Sequence, residues 1–265
     1  MPMTTIRQST RLRAEDIASA IPTSTAIPIS PMNLCMRGPW RRAGWLIPFG
    51  RRREGNAYRR PMTDTVDIQE ATRRAADLVA RRASNRRRTV IGLTGPQGAG
   101  KSTVAARLAE SLSASLVIST DRYLPDYDDL TPDLYDLPES ADLDLLADQA
   151  ASLRAGRAVA LPVWSFDRHA RIGYEPADAP AEGGVVIIEG IHALAPPARG
   201  ALDLAMYVEA SRGERRRRVI DRELGERGWS QVEAAAFFDE VADPVFGRYA
   251  EVYRAAADLI VVNEG

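Results

Sequence analysis

Lysine is all but missing from this chain. Of its 35 basic residues 34 are arginine, and the one lysine is Lys101. Cysteine is equally scarce: Cys35 stands alone, which excludes an intrachain disulfide and any multi-cysteine metal site. Two histidines leave no basis for a histidine-rich metal centre. No apolar run approaches the ~20 residues needed to span a bilayer. What is present has the composition of a globular protein, 45% hydrophobic and 27% charged, with a net charge of −1. The 265 residues accommodate one domain of about 200 residues with an extension, or two small domains.

The single lysine lies in Gly95-Pro96-Gln97-Gly98-Ala99-Gly100-Lys101-Ser102-Thr103, which satisfies G-x-x-x-x-G-K-[ST] at every fixed position. Glycines let successive backbone N–H groups curl around an anion, and a flexible ammonium reaches the outer phosphates. A planar guanidinium is a poor substitute at such a place. The hydroxyl of Ser102 is placed to ligate Mg²⁺. Before the loop, Thr89 to Thr94 reads as a buried strand; after it, Val104, Leu108 and Leu112 recur as on one helix face. Strand, glycine loop and helix together aim a helix N-terminus at phosphate, so a nucleoside triphosphate is the expected ligand.

The near-zero net charge hides an asymmetry. Residues 1–61 hold 11 arginines against Glu15, Asp16 and Glu54, with seven prolines and no sustained periodicity. This segment is expected to be a disordered basic extension or the product of a mis-called start, with translation beginning at Met62. A targeting or membrane-surface arm and a nucleic-acid-binding arm are the competing readings. The remainder, 62–265, carries 24 basic and 33 acidic residues. Its first stretch, 64–88, has helical spacing through Ile68, Ala71, Ala75, Leu78 and Val79 and closes on Asn85-Arg86-Arg87-Arg88.

Further apolar runs begin at Ser115, Val185, Leu204 and Leu259, with helical patterns between most of them. That alternation is the signature of an α/β fold with a mostly parallel sheet and helices on both faces. Ligands of such sheets gather at the carboxyl ends of the strands. Asp121 and Glu189 each follow a strand, as the glycine loop does, so two carboxylates are expected beside the triphosphate. One suits Mg²⁺ and the other suits the proton of an attacking hydroxyl. Glu189 is the metal candidate and Asp121 the base.

The glycine loop, Ser119-Thr120-Asp121-Arg122-Tyr123, Leu161 to Arg171 and Ile188-Glu189-Gly190-Ile191 resemble uridine-cytidine kinases. They also resemble the wider group of P-loop kinases that includes phosphoribulokinase and bacterial pantothenate kinase. The resemblance covers about residues 89–263, the core of a kinase domain over 62–265. It implies that Asp121 deprotonates the acceptor hydroxyl and that Ser102 and Glu189 hold Mg²⁺. It implies that Phe166, His169 and Arg171 belong to the stretch that surrounds the acceptor, which Asp121, Tyr123 and Trp164 are also expected to contact. It implies a lid helix whose Arg215, Arg218 and Arg222 close over the transferring phosphate; their spacing of three and four places them on one helical face. Where the family usually has Tyr-Asp before the phenylalanine, this chain has Trp164-Ser165.

The expected activity is transfer of the γ-phosphate of ATP, with Mg²⁺, to the 5′-hydroxyl of uridine or cytidine. A sugar phosphate, pantothenate or glycerate is the alternative acceptor within the class. A nucleotide-hydrolysing switch or nucleic-acid-associated NTPase is the alternative outside it. A cytoplasmic enzyme is expected, with no strong nucleic-acid or membrane signal in the core and with a homo-oligomer left open. The acidic, proline-punctuated stretch from Leu124 to Pro138 is expected to cover the acceptor, followed by a helix over 141–155 that Gly156 ends.

Overall fold

The computed structural model describes residues 63–265 except 113, 114, 131–133 and 135, so the basic segment 1–61 lies outside the described residues. Thr63–Gly265 forms one compact unit. Its strands are β1 (Asp64–Val66), β2 (Thr89–Thr94), β3 (Ser115–Ser119), β4 (Val159–Ser165), β5 (Ala170–Ala177), β6 (Val185–Glu189), β7 (Leu204–Glu209) and β8 (Leu259–Val262). Its helices are α1 (Ile68–Ala83), α2 (Lys101–Ser111), α3 (Leu143–Arg154), α4 (Arg212–Arg227), α5 (Gln231–Ala236), α6 (Asp243–Gly247) and α7 (Ala250–Ala256).

Six strands form one sheet in the order β1-β8-β7-β2-β6-β3, and every neighbouring pair is parallel. Parallel strands are covered on both faces, so their side chains are apolar in both directions. Ile91, Leu93, Val185, Ile187 and Met206 pack with Ala71 and Ala75 of α1 and Val104 and Leu108 of α2. Val90, Val186, Ile188 and Ala205 pack instead with Leu143, Leu146 and Leu153 of α3 and with Tyr253 of α7. The α/β architecture with a parallel sheet is therefore the observed one. Among the described residues no helix is long and apolar enough to cross a membrane.

One expected boundary needs correction. The helix read over 64–88 is α1 alone, shorter at both ends. Asp67 caps it by accepting from the N–H of Glu70 at 2.8 Å, which fixes its start. Asp64 to Val66 are strand, because they pair with Leu259 to Val261 and complete the sheet edge. Arg86 has a φ of 57°, so the chain has already left the helix there, and the arginine run occupies the turn into β2.

Strands β4 and β5 stand apart from the sheet as an antiparallel hairpin with an irregularity between Val163 and Trp164. The notable tie is Arg122, whose guanidinium donates to the carbonyl of Pro162 at 2.9 Å and pairs with Glu175 at 2.7 Å. The hairpin is thereby attached to the turn that follows β3.

Candidate active site

Strand register assembles the site. Leu93 of β2 pairs with Glu189 of β6, and Glu189 pairs on its other side with Ser119 of β3. One row across the sheet thus sets Glu189 between two strand ends. The glycine loop starts two residues beyond Leu93, and Asp121 stands two residues beyond Ser119.

The loop needs its glycines for space as well as for backbone freedom. Gly100 has a φ of 87°, and a Cβ there would meet the amide of Asn263. That amide donates to the carbonyl of Ala99 at 2.9 Å and holds the loop from beyond β8. Lys101 opens α2 and donates to the carbonyl of Pro96 at 3.2 Å, folding its stem back over the loop. It makes no ion pair among the described residues. Burial lowers its pKa to about 8; Glu189 and Asp121 oppose that shift, and Arg222 and Arg215 reinforce it.

Asp121 sits in a short 3₁₀ turn, Thr120–Tyr123, and its N–H donates to the hydroxyl of Ser119 at 3.2 Å. Burial raises its carboxyl pKa, against the charges of Lys101, Arg222 and Arg227. Glu189 is raised by burial too; Lys101 opposes this, the charge of Asp121 adds to it, and hydrogen bonds from Ser102 and Ser119 oppose it. The Ser102 hydroxyl donates to Oε2 of Glu189 at 3.3 Å. These two side chains are hard oxygen donors beside the glycine loop, which fits Mg²⁺. Among the described residues no group of three His, Cys, Asp or Glu could hold a metal ion. The Oε1 of Gln97 and the hydroxyl of Thr120 are buried without hydrogen-bond partners among the described residues.

The helix expected to carry the lid arginines is α4, capped by Ser211 and ended by Gly228 at a φ of 65°. Its three expected arginines have different surroundings. Arg215 pairs with Asp243 at 2.7 Å, and its charge still bears on Lys101. Arg218 donates to the carbonyl of Gly98 at 3.2 Å and pairs with Glu214 at 2.7 Å, bracing the glycine loop. Arg222 bears on both Lys101 and Asp121.

On the acceptor side, the hairpin brings Trp164, Phe166 and His169 together. Trp164 is edge-on to Phe166 at 5.0 Å between ring centroids, and His169 stacks on Tyr127 at 5.3 Å. Trp164 donates its indole N–H to the carbonyl of Pro125 at 3.1 Å. Phe166 is 52% exposed. His169 occupies the hairpin turn with a φ of 50°. Arg171 places its N–H on Asp126 at 2.7 Å and its guanidinium on the hydroxyl of Tyr174 at 3.2 Å.

Tyr123 requires correction as an acceptor contact. It is fully buried, and its hydroxyl donates to Gln149 at 2.6 Å, because the 3₁₀ turn rotates it into the core under α3.

Three residues of the site escaped the sequence reading. Burial raises Asp136 to about 6, with the charge of Asp121 adding and that of Arg227 opposing. Asp136 therefore joins Asp121 and Arg227 in one electrostatic neighbourhood. Arg227, at the end of α4, lies over the Phe166 ring at 5.6 Å and links that helix to the hairpin. His192 is buried, with ring nitrogens 3.1 Å from the carbonyl of Asp136 and 3.2 Å from the hydroxyl of Tyr253. A carbonyl only accepts, so Nε2 carries the proton and Nδ1 accepts from Tyr253. Burial lowers its pKa to about 4; the bond to Asp136 opposes that shift and Lys101 adds to it, so the ring is a neutral strut. Position within the acidic stretch was the available signal for Asp136. Arg227 lies five residues beyond Arg222, about 140° around the helix, so the spacing that groups Arg215, Arg218 and Arg222 does not include it.

The model of the Phosphoribulokinase / Uridine kinase family matches residues 90–264. The chain belongs to this family. Among its relatives is a uridine kinase of Limosilactobacillus reuteri, 32% identical over 193 residues that cover 68% of this chain and 86% of the relative. A uridine kinase of Shewanella pealeana is 31% identical over 188 residues, covering 66% and 88%. Of the solved structures, a protein of Silicibacter sp. TM1040 has a TM-score of 0.56 at 24% identity, covering 70% of this chain and 97% of that one. YFH7 of Saccharomyces cerevisiae, a P-loop protein with a circular permutation, has a TM-score of 0.57 at 14% identity, covering 76% and 99%. As a member of the phosphoribulokinase/uridine kinase family with a complete glycine loop, the chain is a small-molecule kinase.

Proposed function

We propose that this kinase moves the γ-phosphate of ATP to the 5′-hydroxyl of a pyrimidine nucleoside, uridine or cytidine. The observation that carries the reading is the row Leu93–Glu189–Ser119, which brings the glycine loop, Glu189 and Asp121 to one edge of the sheet. The Asp121 carboxylate takes the proton of the acceptor hydroxyl. The freed oxygen bonds to the γ-phosphorus while the bond to the β–γ bridging oxygen breaks, and ADP leaves. Lys101, Arg215 and Arg222 supply positive charge against the negative charge on the phosphoryl oxygens. Ser102 and Glu189 would hold Mg²⁺, which when bound neutralises phosphate charge. Asp136 would accept hydrogen bonds from other hydroxyls of the acceptor, and Phe166 offers a flat face for a base. The reaction is placed in the cytoplasm, where ATP is supplied.

The names of the relatives support the nucleoside. One observation favours the second reading, a non-nucleoside hydroxyl compound such as a sugar phosphate, pantothenate or glycerate. Trp164 is buried, His169 stacks on Tyr127, and Arg227 already lies over Phe166, so each of the three rings expected at the acceptor has a neighbour from the protein itself.

Replacement of the base tests the mechanism under either reading. Asp121→Asn is expected to lower kcat by about 10²- to 10⁴-fold while calorimetry shows Mg·ATP binding retained. An unchanged kcat would remove Asp121 from the role of base.

A further inference from the structure

Among the described residues one carboxylate has no exposed surface: Glu223, on α4. It shares the inward face of that helix with Val219 and Ile220, where an apolar side chain would be cheaper to bury. Each of its oxygens faces a different arginine. Oε1 accepts from Nε and Nη2 of Arg222 at 3.1 and 2.6 Å. Oε2 lies 3.1 Å from Nη1 of Arg227, as an ion pair whose alignment is not that of a hydrogen bond.

These two guanidiniums are the pair on α4 whose charges bear on Asp121. Both remain part-exposed, with side-chain exposures of 41% and 39%. Two like charges brought to one place repel, and long arginine side chains have many rotamers that would separate them. A buried carboxylate between them cancels the repulsion and removes that freedom. Among the described residues Glu223 makes no hydrogen bond or ion pair to the glycine loop or the hairpin, so its connection to the site runs through the two arginines.

We infer that Glu223 is a positioning residue: it holds Arg222 and Arg227 together on α4, with Arg227 over the hairpin's Phe166, so that both meet the transferring phosphoryl group. This rests on the phosphoryl-transfer reading above. Glu223→Gln keeps the volume of the side chain and removes its charge. It is expected to lower kcat by about 100-fold, as loss of orientation does, with the KM for the acceptor nearly unchanged. In the Arg222→Ala/Arg227→Ala background, which is itself slow, the same change is expected to cost nothing further, because the groups it positions are gone.

An unchanged kcat in Glu223→Gln beside slow arginine variants would overturn the positioning role alone. So would an additive loss in the arginine-free background, which is what a purely structural glutamate gives. A fast Arg222→Ala/Arg227→Ala enzyme would overturn both this inference and the phosphoryl-facing role of the arginines. If Glu223→Gln loses its cooperative thermal transition, removal of both arginines is expected to restore it. Failure to restore it would also overturn the proposal.

Discussion

Lys101 is kept as lysine in a chain that uses arginine everywhere else, and its surroundings explain why. Its ammonium is held low, at about 8, by burial against the attraction of Glu189 and Asp121. A guanidinium there would keep its charge, but its planar fork does not fit a stem that folds back onto Pro96. Lys101, Ser102, Asp121 and Glu189 were legible in the sequence because each is tied to a glycine loop or a strand end. Asp136, Arg227 and Glu223 were not, since their place in the site depends on how a loop and a helix end pack from a distance. Tyr123 misled because one 3₁₀ turn aims neighbouring side chains in opposite directions.

Asp136 gives a test at this scale. Burial and the charge of Asp121 hold its pKa near 6, so it is a carboxylate above that pH and a neutral acid below it. In its proposed role, as an acceptor of hydroxyl hydrogen bonds, it would work in the ionised form. The KM for the acceptor is therefore expected to rise as pH falls through 6, and Asp136→Asn is expected to show a high KM without that inflection. The sign for stability is opposite. Between the ordinary carboxylate range and about 6 the folded chain retains a proton that the unfolded chain releases, so this group costs stability as pH rises through that window.

Among the elements, the glycine loop lies between a strand, β2, and a helix, α2, as its motif requires, while the hairpin of β4 and β5 was unread as strand. Its residues were read for their chemistry, and Pro162, the bulge near Trp164 and the exposed Tyr174 blur the two-residue alternation. The edge strand β1 was lost for a different reason. Three residues are too few to show a period, and Asp67 ends the strand by capping the helix behind it. The turn after β6 supplies the prediction here. Gly190 has a φ of 144°, and a Cβ on it would overlap the side chain of Thr120, the residue before Asp121. Gly190→Ala is expected to displace that turn, lowering kcat by about tenfold or more together with a lower melting temperature. Wild-type kcat in that variant would show that the close approach of the two turns does not set the position of Asp121.

At the scale of the whole molecule, charge is split between an arginine-rich segment over 1–61 and an acidic remainder. Thr63–Gly265 contains the entire six-stranded sheet and every site residue named above. A chain of residues 62–265 is therefore expected to melt cooperatively and to keep the kcat of the full-length protein. Removal through residue 88 is expected to abolish folding, since it takes the edge strand and the buried Ala71 and Ala75 of α1. Loss of activity in the 62–265 chain would give the basic segment a part in the reaction.

The central claim is tested most directly by ADP release from Mg·ATP across a panel of uridine, cytidine, purine nucleosides, pentose phosphates, pantothenate and glycerate. Release stimulated by uridine or cytidine, and lost with Asp121→Asn, is the expected result. Stimulation by a non-nucleoside alone would replace the acceptor and leave the phosphate chemistry standing. Release that no hydroxyl compound stimulates would contradict the account.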